Sequence, residues 1–219
     1  SYQVFDACQL SSQAACFDGA LYDGRHIYFA PLTSGLVLRY AVGGDFADPD
    51  SWQTFDAQPL GMHMNVGLVF DGRHVYFCAY GNSRMLRYDT EKSFDDPASW
   101  QGYDAADTQG LDTGGFDGGF FDGRYVYFNP RDDGHSHHTR LLRYDAHGDF
   151  KDPDSWSAHD AQFPHSGQGL AFDGRHLYFC PGYTTAPDAD PTNPSASLDR
   201  AFAFALSFAA TSIWSSNAL

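Results

Sequence analysis

One eight-residue pattern occurs four times along the chain, and this repetition limits the fold more than any local feature. The copies are Tyr22-Asp23-Gly24-Arg25-His26-Ile27-Tyr28-Phe29, then residues 70–77, 121–128 and 172–179, with starts 48, 51 and 51 residues apart. After the first three comes Leu-Arg-Tyr, at Leu38-Arg39-Tyr40, Leu86-Arg87-Tyr88 and Leu142-Arg143-Tyr144. Phe-x-Asp-Pro-x-Ser-Trp follows at residues 46–52, 94–100 and 150–156, and a short run then ends in Asp-Ala, as at Phe55-Asp56-Ala57.

Each unit reads as four short strands, A to D. Asp-Gly between alternating apolar runs is a hairpin signal, because glycine takes a positive φ at no steric cost. Arg-His-x-Tyr-Phe supplies strand B, Leu-Arg-Tyr strand C, and the run after the Asp-Pro-x-Ser-Trp turn strand D. Four strands in a period near 50 residues are the signature of a β-propeller blade. The expected fold is therefore all-β, a four-bladed β-propeller filling residues 1–219 as one domain. Blade 1 covers about 8–57, blade 2 about 58–105, blade 3 about 106–161, and blade 4 about 162–219 together with strand 1–7.

The two ends bear on closure. Ser1-Tyr2-Gln3-Val4-Phe5-Asp6-Ala7 matches Ser51-Trp52-Gln53-Thr54-Phe55-Asp56-Ala57, so the N-terminal strand is expected to close blade 4 as its strand D. Closure of this kind removes exposed sheet edges at the seam. Phe208 and Trp214 keep the Phe-to-Trp spacing of the blades and offer a competing strand D with a poorer match. The Phe-Asp-Gly-Arg-[His/Tyr]-x-Tyr-Phe and Leu-Arg-Tyr-Asp pattern is similar to repeats in uncharacterised bacterial Kelch-like propellers, and resembles hemopexin-like domains in blade count alone. The resemblance implies architecture and no particular activity.

Composition narrows the partners. With 13 Lys+Arg against 28 Asp+Glu the formal charge is -15, which argues against nucleic acid or an anionic membrane surface. Glu91 is the only Glu, and Lys92 and Lys151 are the only Lys, a poor supply for helix surfaces. No apolar run approaches membrane-spanning length, and no charged-then-apolar leader follows Ser1. The compartment is left open by the sequence. Cys8 and Cys16 are near enough in sequence to close a small loop, whereas Cys78 and Cys180 occupy one repeat position and read as buried free thiols.

The A–B and C–D turns hardly vary between copies, whereas the D–A and B–C loops diverge. Function on a repeat scaffold sits in such loops, so the site is expected on the D–A/B–C face over the central channel. Blades 1 and 3 share Phe-Asp-Gly at Asp18 and Asp117, and blades 2 and 4 share His-x-x-x-Gly at His63 and His165. In a ring of four these pairs face one another. His63 and His165 are the candidate catalytic residues, and His63, His165, Asp18 and Asp117 the candidate metal ligands, with the two pairs at different heights along their strands. Imidazole and carboxylate suit Zn, Mn, Fe or Ni, Met62-His63-Met64 adds a Cu option, and a structural ion would be Ca. Without a metal, the aspartates read as turn caps and the histidines as packing.

Asn65, Asp112, Gln168, His135, His137 and His138 are the candidate ligand-binding residues. His26, His74 and His176 recur at one position with Tyr125 in the fourth copy, which reads as packing; Arg25, Arg73, Arg124 and Arg175 read as partners of the turn aspartates. No organic-cofactor motif is present. The leading expectation is a small-molecule enzyme with one site at the channel mouth, a metal-assisted lyase, isomerase or hydrolase. The alternatives are a glycan- or small-ligand-binding module and an interaction scaffold with a structural axial ion.

Overall fold

The structure, a computed structural model, describes residues 2–162 and 165–184. Three four-stranded antiparallel sheets follow one another in chain order. Blade 1 is β1 (Phe17–Tyr22), β2 (His26–Pro31), β3 (Leu36–Ala41) and β4 (Trp52–Asp56); blade 2 is β5 (Asn65–Phe70), β6 (His74–Ala79), β7 (Arg84–Asp89) and β8 (Trp100–Asp104). A two-stranded ladder, β9 (Asp107–Thr108) with β10 (Leu111–Asp112), precedes blade 3, which is β11 (Phe116–Phe121), β12 (Tyr125–Pro130), β13 (Arg140–Asp145) and β14 (Trp156–Asp160). The hairpin β15 (His165–Phe172) and β16 (Leu177–Thr184) begins the fourth unit. The rest of that unit, including Phe208, Trp214 and most of the divergent 181–197 loop, lies outside the described residues. The architecture is a β-propeller. No helix among the described residues is long and apolar enough to cross a membrane.

The repeat motif explains itself locally. In each A–B turn one aspartate oxygen accepts two backbone N–H groups and the other accepts the Tyr hydroxyl of strand B. Asp71 receives Arg73 N–H (2.8 Å), His74 N–H (2.6 Å) and the Tyr76 hydroxyl (2.6 Å), and Asp23, Asp122 and Asp173 repeat the set. Burial raises the Asp71 carboxyl, but these bonds and the His74 ring outweigh it and hold it at about 2. Contrary to the pairing expected from the repeat, the Arg73 and Arg124 side chains leave the turn aspartates. Arg73 and Arg124 reach Asp89 and Asp145 at the end of strand C, each at 2.8 Å; blade 1 has Ala41 there. The C–D loop is closed by Trp Nε1–H donating to the Phe carbonyl six residues earlier, at Trp52, Trp100 and Trp156.

Blades join through aromatic contacts. Phe55 of β4 stacks on Trp100 of the next blade (4.3 Å, 2°), and Tyr103 of β8 on Trp156 (4.6 Å, 7°). Arg39 reaches the Tyr88 hydroxyl and lies over Phe94, as Arg87 does with Tyr144 and Phe150. Phe5 stacks on Trp52 in the same way (4.5 Å, 6°), so the N-terminal segment holds the strand-D place beside blade 1. Its described residues 2–6 are not paired as a strand.

The innermost strands pack in the order β1–β5–β11–β15; among the described residues β15 does not pack back on β1 in that manner. Each of the first three carries a bulge at a glycine with positive φ, Gly19 (92°), Gly67 (75°) and Gly118 (71°). A β-carbon on Gly67 would lie 2.6 Å from the Gly118 Cα, and one on Gly19 3.1 Å from the Gly67 Cα. The backbones are therefore in direct contact along the axis.

Two outcomes follow for stability in urea. Gly72→Ala meets only the positive-φ cost of about 1 kcal/mol, since nothing lies near its Cβ; Gly67→Ala adds a backbone clash and must cost clearly more. The depressed Asp71 carboxyl contributes stability that is complete above the ordinary carboxylate range and is lost as pH falls toward about 2. Asp71→Asn, compared by denaturation at successive acidic pH values, flattens that part of the profile.

Candidate axial site

The residue just before the bulge glycine is Asp18, Val66 and Asp117 in blades 1 to 3, and Gln168 holds the same place on β15. These are equivalent repeat positions, and Asp117 and Gln168 meet across neighbouring strands. Asp117 is the centre of the group. It forms an ion pair with Arg131, accepts a 3.3 Å hydrogen bond from the Gln168 amide, and its carbonyl accepts from Asn129 Nδ2 at 3.1 Å. Arg131 also lies over the Tyr80 ring. Burial raises the proton affinity of Asp117, Arg131 opposes this, and the charge of Asp18 raises it further. The net shift is upward, with burial its largest cause and the Asp18 charge its smallest. Asp18 itself is exposed.

Two buried amides stand in blades 2 and 3, Asn65 on β5 and Asn129 on β12. Asn65 is 1% exposed and neither of its amide atoms has a hydrogen-bond partner; Asn129 is fully buried, and its Oδ1 has none. Such groups cost free energy unless something satisfies them. Asn129 fills the space above Gly167, where a β-carbon would collide with it.

The four-ligand set expected from the sequence does not assemble. His63 is exposed just before β5, whereas His165 opens β15 half-buried with a buried Nδ1 that has no partner. His63 lies outside its inner strand, and the β-strand spacing already separates the histidine level from the aspartate level. Among the described residues no three of His, Cys, Asp and Glu lie close enough to hold a metal. Met62, beside His63, is buried rather than turned to a ligand.

The B–C loop of blade 3 also divides. His135 is exposed, and His137 lies 3.3 Å from Asp132. His138 is 4% exposed, not a loop residue open to ligand: its Nε2–H donates to the carbonyls of Gly114 (2.5 Å) and Gly115 (3.1 Å), while Nδ1 accepts from Arg140 N–H. Burial lowers its proton affinity, and the ring is a stitch between loop and inner strand. Asp112 is exposed on β10, away from the contacts of Asp117. The cysteines differ from expectation too. Cys8 and Cys16 are free and exposed, and of the second pair Cys78 is buried whereas Cys180 is exposed.

Arg131 and Asn129 were not singled out in the sequence. The signal was available in the repeat: Asn129 stands where the other copies have Ala30, Cys78 and Cys180, and Arg131 where they have Leu32, Tyr80 and Gly182.

The fold and this axial group define a β-propeller protein with a polar site on its inner strands. Solved structures similar to it include streptogramin B lyase (TM-score 0.50, 14% identity, 74% of this chain and 47% of that one). The extracellular domain of the one-component system BT4673 from B. thetaiotaomicron (0.52, 13%, 81% and 22%) and U3-55K (0.51, 11%, 78% and 47%) are further examples. The chain spans about half the length of the lyase it matches. At these identities the likeness is one of fold. No protein-family model and no curated protein sequence matches the chain.

The electrostatic coupling has a direct check. Carbon-detected NMR titration should place the Asp117 carboxyl above the ordinary aspartate range, and Asp18→Asn should lower it, because a neighbouring like charge is removed.

Proposed function

We propose that the axial group binds one small polar molecule and that Asp117 exchanges a proton with it, as an enzyme of the lyase, isomerase or hydrolase type. The observation that carries this reading is the Asp117 carboxylate, half-buried, fixed by Arg131 and Gln168, and raised in proton affinity by burial and by Asp18. A carboxyl tuned upward works as a general acid or base nearer neutral pH than an exposed one does. Arg131 and Gln168 hold it in place. Asp18, at the exposed rim, adds a second acceptor. Gln168 spends its amide N–H on Asp117 and retains its carbonyl oxygen as an acceptor. Carboxylate and amide oxygens together suit a ligand that presents hydroxyl or amine donors, which includes carbohydrates. His63, His165, Asn65, Asp112, His135 and His137 take no part in this contact set.

A divalent cation is the second reading, favoured by two carboxylates that feel one another at equivalent repeat positions. Oxygen donors of this kind suit Ca or Mn better than Zn or Cu, and the two imidazoles drop out of the ligand set. For the scaffold, we read four blades in one ring with the N-terminal segment as the last outer strand. The Phe5–Trp52 stack and the backbone contact at Gly19, Gly67 and Gly118 support a small, tight ring. The Kelch-like likeness is kept as one of repeat pattern.

The test is a ligand screen with a panel of sugars, polyols and amines, followed by NMR at the Asp117 carboxyl and the Gln168 amide. A true ligand moves both signals, and its turnover falls by about 10²–10⁴-fold in Asp117→Asn and far less in His63→Ala or His165→Ala. Binding without turnover makes the protein a binding module. Metal retained through purification and lost in an Asp18→Asn, Asp117→Asn double variant supports the cation. Ligands that bind without touching either signal, or turnover that survives Asp117→Asn, overturn the axial site.

A further inference from the structure

The A–B and C–D turns lie on the face opposite the divergent loops, and there a cleft of about 290 Å³ opens between blades 2 and 3. Arg73, Arg87, Asp89, Lys92, Ser99 and Gln101 are on its wall. The size is near the lower end for small-molecule sites, ~300 Å³.

Its charges do not balance. Arg73 donates to both oxygens of Asp89 (3.1 and 2.8 Å) and lies 3.4 Å from Glu91, while Lys92 lies 3.5 Å from the same Asp89. Arg87 has no carboxylate in reach among the described residues. It donates Nε–H to Gln101 Oε1 (2.7 Å) and a terminal N–H to the Tyr144 hydroxyl (2.8 Å), and lies 4.6 Å from the Phe150 ring centroid. Neutral acceptors and a π face are all that offset this half-buried cation. Beside it Ser99 is 3% exposed, and its hydroxyl has no hydrogen-bond partner. The cleft thus holds three cationic side chains and an unpaired hydroxyl against one lining carboxylate, Asp89.

The sequence departs from its own repeat at this place. Thr90-Glu91-Lys92-Ser93 stands where blades 1 and 3 have Val42-Gly43-Gly44-Asp45 and Ala146-His147-Gly148-Asp149. The chain's sole Glu and one of its two Lys are in that loop. Lys92 replaces a glycine that in blades 1 and 3 leaves room for the serine hydroxyls of Ser51 and Ser155.

We propose that this cleft is an anion site, which takes the carboxylate or phosphate group of a small molecule. Arg87 and Lys92 supply the positive charge, and the Ser99 hydroxyl donates to an anion oxygen. Charge-assisted bonds of this kind are stronger than neutral ones. The site is separate from the axial group and shares no residue with it.

Calorimetry at constant ionic strength with inorganic phosphate and, separately, succinate tests the site. The expected result is one saturable site for at least one of the two anions. Binding weakens about tenfold in Ser99→Ala and in Lys92→Met, and is unchanged in Lys151→Met, which removes an equal charge on blade 3. Both Lys92 and Lys151 are exposed, so these variants fold. Phosphate alone assigns a phosphoryl group, and succinate alone a carboxylate. The proposal fails if neither anion binds saturably at about 10 mM, above the millimolar range of weak specific sites. It fails equally if Ser99→Ala and Lys92→Met bind as the parent does, or if Lys151→Met weakens binding as much as they do.

Discussion

The stacking of one blade's outer aromatic on the next blade's tryptophan carries the rest of the structure. A sheet of four short strands cannot bury both faces alone, and an isolated unit would leave Trp100 or Trp156 open to water. Phe55 and Tyr103 cover them with nearly parallel rings, and each such pair contributes about 0.5–1.5 kcal/mol beyond the area it buries. The Arg39 and Arg87 guanidinium groups add a second bond across each junction. The contact has a direction, from blade n to blade n+1, so it sets the order of the blades and lets Phe5 act as the outer aromatic ahead of blade 1.

That outer packing fixes what happens at the axis. Blades held at one angle bring their inner strands together, and the bulge glycines let backbone meet backbone. Asp117 and Gln168 meet for this reason. The same crowding desolvates Asp117, which is why its proton affinity rises even beside Arg131. Position and chemistry have one cause.

The two faces of the disc use the repeat differently. On the turn face the Asp-centred hydrogen bonds recur four times, a structural device with little room to vary. Where blade 2 breaks the pattern, at residues 90–93, that face carries a cleft with an unspent donor. On the axial face the loops vary, yet the polar cluster is built on strands rather than on them. His138 shows the point: a residue that looks like a loop ligand is a buried stitch to Gly114 and Gly115.

Strands, hairpin turns and the propeller were legible in the chain alone, because they follow from Asp-Gly turns, period-two alternation and a repeat near 50 residues, all of them local. Asp18, Asp117 and Gln168 were legible as repeat positions that carry unlike residues. Which of these meet was not, since that depends on strand height and on the order β1–β5–β11–β15. The sequence paired His63 with His165 by symmetry; the tertiary structure leaves His63 exposed ahead of β5 and puts Arg131 and Asn129 at Asp117 instead. A sequence lists which side chains recur, but the angle between packed sheets decides which of them share a space, and that angle is set by contacts between residues about 50 positions apart.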